Sequence, residues 1–165
     1  MQEMETRIRE LAGEAAGRLM RRGQLLATAE SCTGGMIAAF LTEVPGVSAI
    51  YPGGFVTYSA AQKAAMLGIS PSDLSAWGIV SAKTASAMAR GAAGATGADA
   101  ALSVTGNAGP TAQDGKPVGL VYIGCVCGDK ERVKECQFDG TRREIRLKAV
   151  QEAFLLLMAC MEEES

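Results

Sequence analysis

The run Thr28-Ala29-Glu30-Ser31-Cys32-Thr33-Gly34-Gly35 sets a hydroxyl and a thiol side by side, just ahead of two glycines and an apolar segment. It suits a nucleophile at a strand-to-helix turn, with the N–H groups of Thr33, Gly34 and Gly35 offered to an oxyanion or another anion. It also suits a helix cap, in which Ser31 or Thr33 contributes about 1 kcal/mol and nothing more; caps are far commoner than nucleophiles. Cys32 is the rival nucleophile, because a helix N-terminus lowers a thiol pKa, although small buried cysteines are commoner still.

The means of activating such a group is constrained by a count: the chain has no histidine. A Ser-His-Asp triad, a Cys-His pair, a zinc HExxH helix and a histidine general base are all excluded. Hydrolytic chemistry must run on Ser, Thr, Cys, Lys, Tyr and carboxylates. The segment Tyr58-Ser59-Ala60-Ala61-Gln62-Lys63 supplies candidates. A lysine in an apolar pocket loses pKa because desolvation disfavours its charge, so it can accept a serine proton near neutral pH. Tyr58 could relay or orient that proton. The competing reading is a solvated helix lysine beside a half-buried tyrosine, and spacing alone favours it.

Two further segments could bind an anion. The loop Thr105-Gly106-Asn107-Ala108-Gly109-Pro110 follows an apolar run, and its glycines allow close backbone approach and an N–H nest. A plain turn would look the same. Thr141-Arg142-Arg143-Glu144 has the capping-box pattern, yet it puts cations in a first helical turn, where they oppose the helix dipole by about 0.3–1 kcal/mol each. Something negative should compensate. Arg142 and Arg146 share a helical face and could grip a phosphate or carboxylate; a neighbouring acidic side chain is the other candidate partner.

These groups need a scaffold, and the chain is long enough for one. Its 165 residues, 48% of them hydrophobic, fit a single domain over 1–165 with one sizeable core. A net charge of −2 gives no general attraction to phosphate polymers, so nucleic acid is not an expected partner. The longest apolar run, Ala153 to Met161, is too short for a bilayer, and residues 1–22 lack the apolar core of a secretory signal. A cytoplasmic protein with no membrane partner is expected. The five cysteines, odd in number and without CxxC spacing, read as reduced thiols. Cys125 and Cys127 alternate along a strand and read as buried small residues rather than a metal pair.

Periodicity predicts an amphipathic helix over 2–22, a buried strand over 24–29, a helix over 35–42 and a strand over 55–58. Helices follow over 60–67, from Ser70-Pro71, and over 81–95, the last ended by Gly94 and Gly97. Strands are expected over 100–104, 118–126 and 133–138, with a turn near Gly128-Asp129, and a final helix from Thr141. In that helix Phe154, Leu157 and Met161 suit either the core or a subunit contact. Interleaved strands and helices imply an α/β fold, a three-layer α/β/α sandwich with a mixed, mostly parallel sheet. In such sheets ligands bind at the carboxyl ends of strands, where Ser31 would stand.

Five ordered motifs now identify a family. "TAESCTGG", "GGFVTYSAAQKAAMLGI", "SVTGNAGP", "KPVGLVYIG" and "FDGTRREIR" together resemble the CinA C-terminal domain, whose members include stand-alone nicotinamide mononucleotide amidohydrolases. The resemblance spans nearly the whole chain. It implies hydrolysis of the carboxamide of nicotinamide mononucleotide to nicotinic acid mononucleotide and ammonia, a step of pyridine nucleotide salvage, with neither metal nor cofactor. It implies Ser31 as nucleophile, Tyr58 and Lys63 as its catalytic partners, and Thr105 and Arg142 in the nucleotide site. Glu30, Thr33, Gly34, Gly35, Gly106, Asn107, Ala108, Gly109 and Arg146 complete the expected substrate-binding set. A homo-oligomer is also implied. Asn107 departs from the isoleucine more usual there, so the nucleotide is expected to be held differently at that point. Activities of the N-terminal domain of longer CinA proteins are not carried over.

Overall fold

The computed structural model describes residues 1–162. Its elements are helix α1 (Gln2–Arg22), strand β1 (Leu26–Glu30), helix α2 (Met36–Thr42), strand β2 (Gly53–Val56) and helices α3 (Ala60–Leu67), α4 (Pro71–Trp77) and α5 (Ala82–Thr96). Strands β3 (Ala100–Gly106), β4 (Leu120–Cys127) and β5 (Lys130–Gln137) and helix α6 (Arg142–Glu162) complete them. The strands form one sheet in the order β2-β1-β3-β4-β5. β1 pairs in parallel with both β2 and β3, whereas β3–β4 and β4–β5 are antiparallel. Four strands therefore share a direction and β4 alone is reversed, which makes the sheet mixed, with two parallel and two antiparallel pairings rather than mostly parallel ones.

Alternation of side chains along the strands gives the sheet two apolar faces. On one, Leu26, Leu102, Val104, Ile123, Cys125 and Cys127 pack with α1, α2 and α6. On the other, Ala27, Ala29, Ala101 and Val126 pack with the face formed by α3, α4 and α5. That is the three-layer sandwich. Phe154, Leu157 and Met161 are fully buried, so they belong to the core. The small residues of α5 have a use: a Cβ on Gly91 would sit 2.3 Å from the Leu67 carbonyl, so its absence lets α3 lie directly on α5.

Several boundaries differ from expectation, each for a local reason. β2 runs over Gly53–Val56, two residues earlier than predicted, leaving Tyr58 beyond the strand. Gly53-Gly54 looks like a turn in sequence, yet Gly54 must be a strand residue without a side chain: a Cβ there would lie 2.1 Å from the Thr28 hydroxyl, which bonds Tyr51 at 2.7 Å. β3 extends to Gly106 because β4 pairs with it there. Gly94 lies inside α5, and Gly97, at φ 72°, ends it. β5 starts at Lys130, where alternating charges on an edge strand hide its pattern.

Candidate active site

The sheet register assembles the site. Glu30 pairs with Val56 on one side and Val104 on the other, so the next residue on each of the three parallel strands is Ser31, Thr57 and Thr105. Ser31 N–H donates to Val104 O and Thr57 N–H to Glu30 O, both at 2.9 Å, which extends the ladder one step. Three hydroxyl residues thus stand abreast at the carboxyl edge of the sheet. Ser59 caps α3 by accepting the Gln62 N–H at 3.2 Å, and this turns Lys63, one position on, back under the edge.

Lys63 is 1% exposed, yet it is a cation by type. Its Nζ donates to Thr57 O at 2.8 Å and lies 3.1 Å from Ser31 Oγ. Desolvation lowers its pKa from the ordinary 10.5 to about 8. The same burial pushes the Cys32 thiol up to about 12, so Cys32 is a neutral packing residue at neutral pH. The rival nucleophile is disarmed while the serine has a base in reach.

A cleft of about 250 Å³ opens over this pair. Its walls carry Ser31, Cys32, Tyr58, Lys63, Thr105, Gly106, Ala108, Gly109, Thr111, Gln113 and Arg142. Arg142 reaches it from the start of α6, donating to Gly109 O and, at 2.8 Å, to the Tyr58 hydroxyl. Tyr58, 59% exposed, is thereby engaged with Arg142 rather than with Lys63 or Ser31. Thr105 donates to Ile79 O at 2.6 Å, tying the loop before α5 to the cleft.

The remaining predicted residues, Glu30, Thr33, Gly34, Gly35, Asn107 and Arg146, do not line the cleft. Neither Ser31 nor Thr33 caps α2; the cap position is Gly35, and the capping oxygens come from Glu30. The Glu30 carboxylate, 1% exposed, accepts the Thr33 hydroxyl at 2.6 Å and the N–H groups of Ile37 and Ala38 at 2.9 and 3.1 Å. It holds a helix end and does not line the cleft. Of the expected anion donors at 33–35, the Gly34 N–H is engaged, donating to Ser31 O at 2.9 Å. Cys32, the residue after Ser31, is the one on the cleft wall, and no backbone carbonyl among the described residues takes its N–H. Arg146 donates to Cys32 O at 3.0 Å and Thr33 O at 3.1 Å, so its partners are carbonyl oxygens, whereas Arg143 pairs with the Glu5 carboxylate at 2.7 Å. The Thr141–Glu144 capping box forms, with reciprocal bonds of 3.2 and 2.7 Å.

Asn107 too is outside the cleft. Only 2% exposed, its amide Nδ2 donates to Gln113 O at 2.9 Å and Lys116 O at 2.8 Å, pinning the 111–117 strap that carries Thr111 and Gln113. Asp114 fixes the same strap by accepting Val80 N–H at 2.9 Å. Sequence reasoning passed over Thr57, Ile79, Val80, Thr111, Gln113 and Asp114. Thr57 acts through its carbonyl, which every residue has, so its side chain gave no signal.

The fold and the cleft define an open α/β protein with a buried serine–lysine pair at the carboxyl ends of adjacent parallel strands. A family model described as "CinA C-terminal domain" matches residues 8–161, and the chain belongs to that family. A CinA-like protein of Frankia casuarinae is 44% identical over 147 residues, covering 89% of this chain and 34% of that protein. Two solved structures superpose closely. The competence/damage inducible protein CihA from Agrobacterium tumefaciens has a TM-score of 0.89 at 41% identity, covering 93% of this chain and 95% of that one. The competence damage-inducible protein A from Klebsiella pneumoniae has 0.90 at 35%, covering 94% and 97%. The chain spans between 32% and 42% of the length of the first curated relatives it matches. No helix among the described residues is long and apolar enough to cross a membrane.

Proposed function

We propose that this domain is an amidohydrolase that converts nicotinamide mononucleotide to nicotinic acid mononucleotide and ammonia. The observation that carries the hydrolase reading is the buried Lys63 amine 3.1 Å from Ser31 Oγ, with its pKa brought down to about 8. The substrate rests on the resemblance of the five motifs to the nucleotide amidohydrolases and on a cleft of about 250 Å³ with an arginine, Arg142, in its wall.

Neutral Lys63, oriented by Thr57 O, takes the Ser31 hydroxyl proton as Oγ attacks the amide carbon. The carbonyl oxygen becomes an oxyanion, for which the Cys32 N–H is the adjacent donor, the position used after a nucleophile on other strand-to-helix turns. The C–N bond then breaks, Lys63 returns the proton to the departing amine, and ammonia leaves an acyl ester on Ser31. Water attacks the ester, giving its proton to Lys63, and Ser31 departs as the hydroxyl. Arg142 and the N–H groups of the Ala108-Gly109 turn receive the phosphate; Thr111 and Gln113 roof the cleft.

The test is ammonia release from nicotinamide mononucleotide by the purified chain, with Ser31→Ala and Cys32→Ala alongside. The proposal expects turnover lost in the serine variant and kept in the cysteine variant. Nucleotide binding with no ammonia from the wild type would replace it with a non-hydrolytic nucleotide-binding module.

A further inference from the structure

The turn Ser31-Cys32-Thr33-Gly34 is gripped from two sides by charged groups that do not reach the cleft. From the sheet side the Glu30 carboxylate holds the Thr33 hydroxyl. From α6 the Arg146 guanidinium forks onto the carbonyls of Cys32 and Thr33. A Cβ on Gly34, whose φ is 58°, would lie 3.3 Å from the Arg146 Nη2, so the turn packs directly on the guanidinium.

The peptide plane between Thr33 and Gly34 transmits that grip. In a trans peptide the C=O and N–H point in opposite directions. Here the carbonyl end is held by Arg146, with Met36 N–H sharing it at 3.1 Å, and the N–H end donates to Ser31 O at 2.9 Å. Ser31 O belongs to the peptide whose other end is the Cys32 N–H. Orientation therefore passes from Arg146 through one rigid plane to the Ser31–Cys32 peptide, and so to the donor beside the nucleophile.

We infer that Arg146 is a positioning residue for the nucleophile turn, setting the direction of the Cys32 N–H through the Cys32 and Thr33 carbonyls, and is not a phosphate ligand. The inference rests on the serine-nucleophile reading above. Arg146 is suited to it because its planar fork spans two carbonyls at once, which a lysine ammonium cannot match in direction. Misorienting a transition-state donor lowers kcat, whereas loss of a substrate ligand raises KM.

The experiment pairs steady-state kinetics with labelling of Ser31 by phenylmethanesulfonyl fluoride, followed by mass spectrometry, in wild type, Arg146→Lys and Arg146→Met. In the labelling step Ser31 Oγ bonds to sulfur, fluoride leaves and the proton goes to Lys63. Both variants are expected to label about ten- to a hundredfold more slowly, with kcat falling in parallel and KM within about twofold of wild type. The pH midpoint of labelling should stay near 8, since the lysine–serine pair is untouched. Should Arg146→Met fail to fold, Arg146→Lys, which keeps the charge and the stem, decides the matter. Unchanged labelling and kcat, or a raised KM at unchanged kcat, would overturn the inference alone. A wild type whose Ser31 is labelled but which releases no ammonia overturns the amidohydrolase reading and leaves the positioning role standing on the labelling rates; an unlabelled Ser31 in the wild type overturns both.

Discussion

At the scale of single residues, the site depends on one placement, an amine brought out of water beside a hydroxyl. Lys63 must be neutral to accept the serine proton, and its pKa of about 8 leaves roughly a tenth of the enzyme competent at pH 7. kcat/KM is therefore expected to rise about tenfold per unit below pH 8 and level off above it, read from ammonia release across pH 6 to 9.5. A profile flat through 8 would remove Lys63 as the base. Arg142 allows a second prediction at this scale. It bonds Tyr58 and Gly109 in the cleft and makes no bond to Ser31 or Lys63, so Arg142→Ala should raise KM for the nucleotide much more than for the phosphate-free nucleoside. Equal effects on both would show that the phosphate is bound elsewhere.

At the scale of elements, the strap over the cleft is the part whose loss should be measurable without touching the chemistry. Asn107→Leu would remove the bonds to the Gln113 and Lys116 carbonyls, each worth about 0.5–1.5 kcal/mol to the placement of the strap. KM for nicotinamide mononucleotide should rise several-fold with kcat little changed, because Thr111 and Gln113 lose their placement while Ser31 and Lys63 keep theirs. An unaltered KM would mean that Asp114 and the backbone bonds of the strap hold it without the Asn107 amide. This element also shows what was legible in advance. Sequence periodicity and caps located the helices and strands, since buried faces and helix ends are local signals, and put Ser31 at the carboxyl end of its strand; the register that sets Thr57 and Thr105 beside it depends on pairing between distant strands and was not legible. The uses of Glu30, Asn107 and Arg146 were not legible, because all three bond to backbone atoms supplied by other segments. A residue type that could bind substrate looks the same in sequence when it binds a carbonyl instead.

At the scale of the whole molecule, burying Lys63 sets function against stability. In the folded chain Lys63 loses its proton near pH 8, and in the unfolded chain near 10.5. Below pH 8 both states hold the proton, and folding bears the full cost of a buried cation. Between pH 8 and 10.5 the unfolded state binds the extra proton, so this group's contribution to unfolding free energy rises with pH across that window. The total rise is about 3 kcal/mol, since a tenfold change in proton affinity corresponds to roughly 1.4 kcal/mol. Lys63→Met removes the titration, whatever else it does to packing or to the Thr57 carbonyl. The stability difference between Lys63→Met and wild type, measured by urea unfolding from pH 7 to 10.5, should therefore move by about that amount in favour of wild type as pH rises. A difference constant with pH would mean that the folded chain leaves Lys63 an ordinary lysine. It would then have no proton affinity matched to the serine, and the case for hydrolysis at this cleft would fall with it.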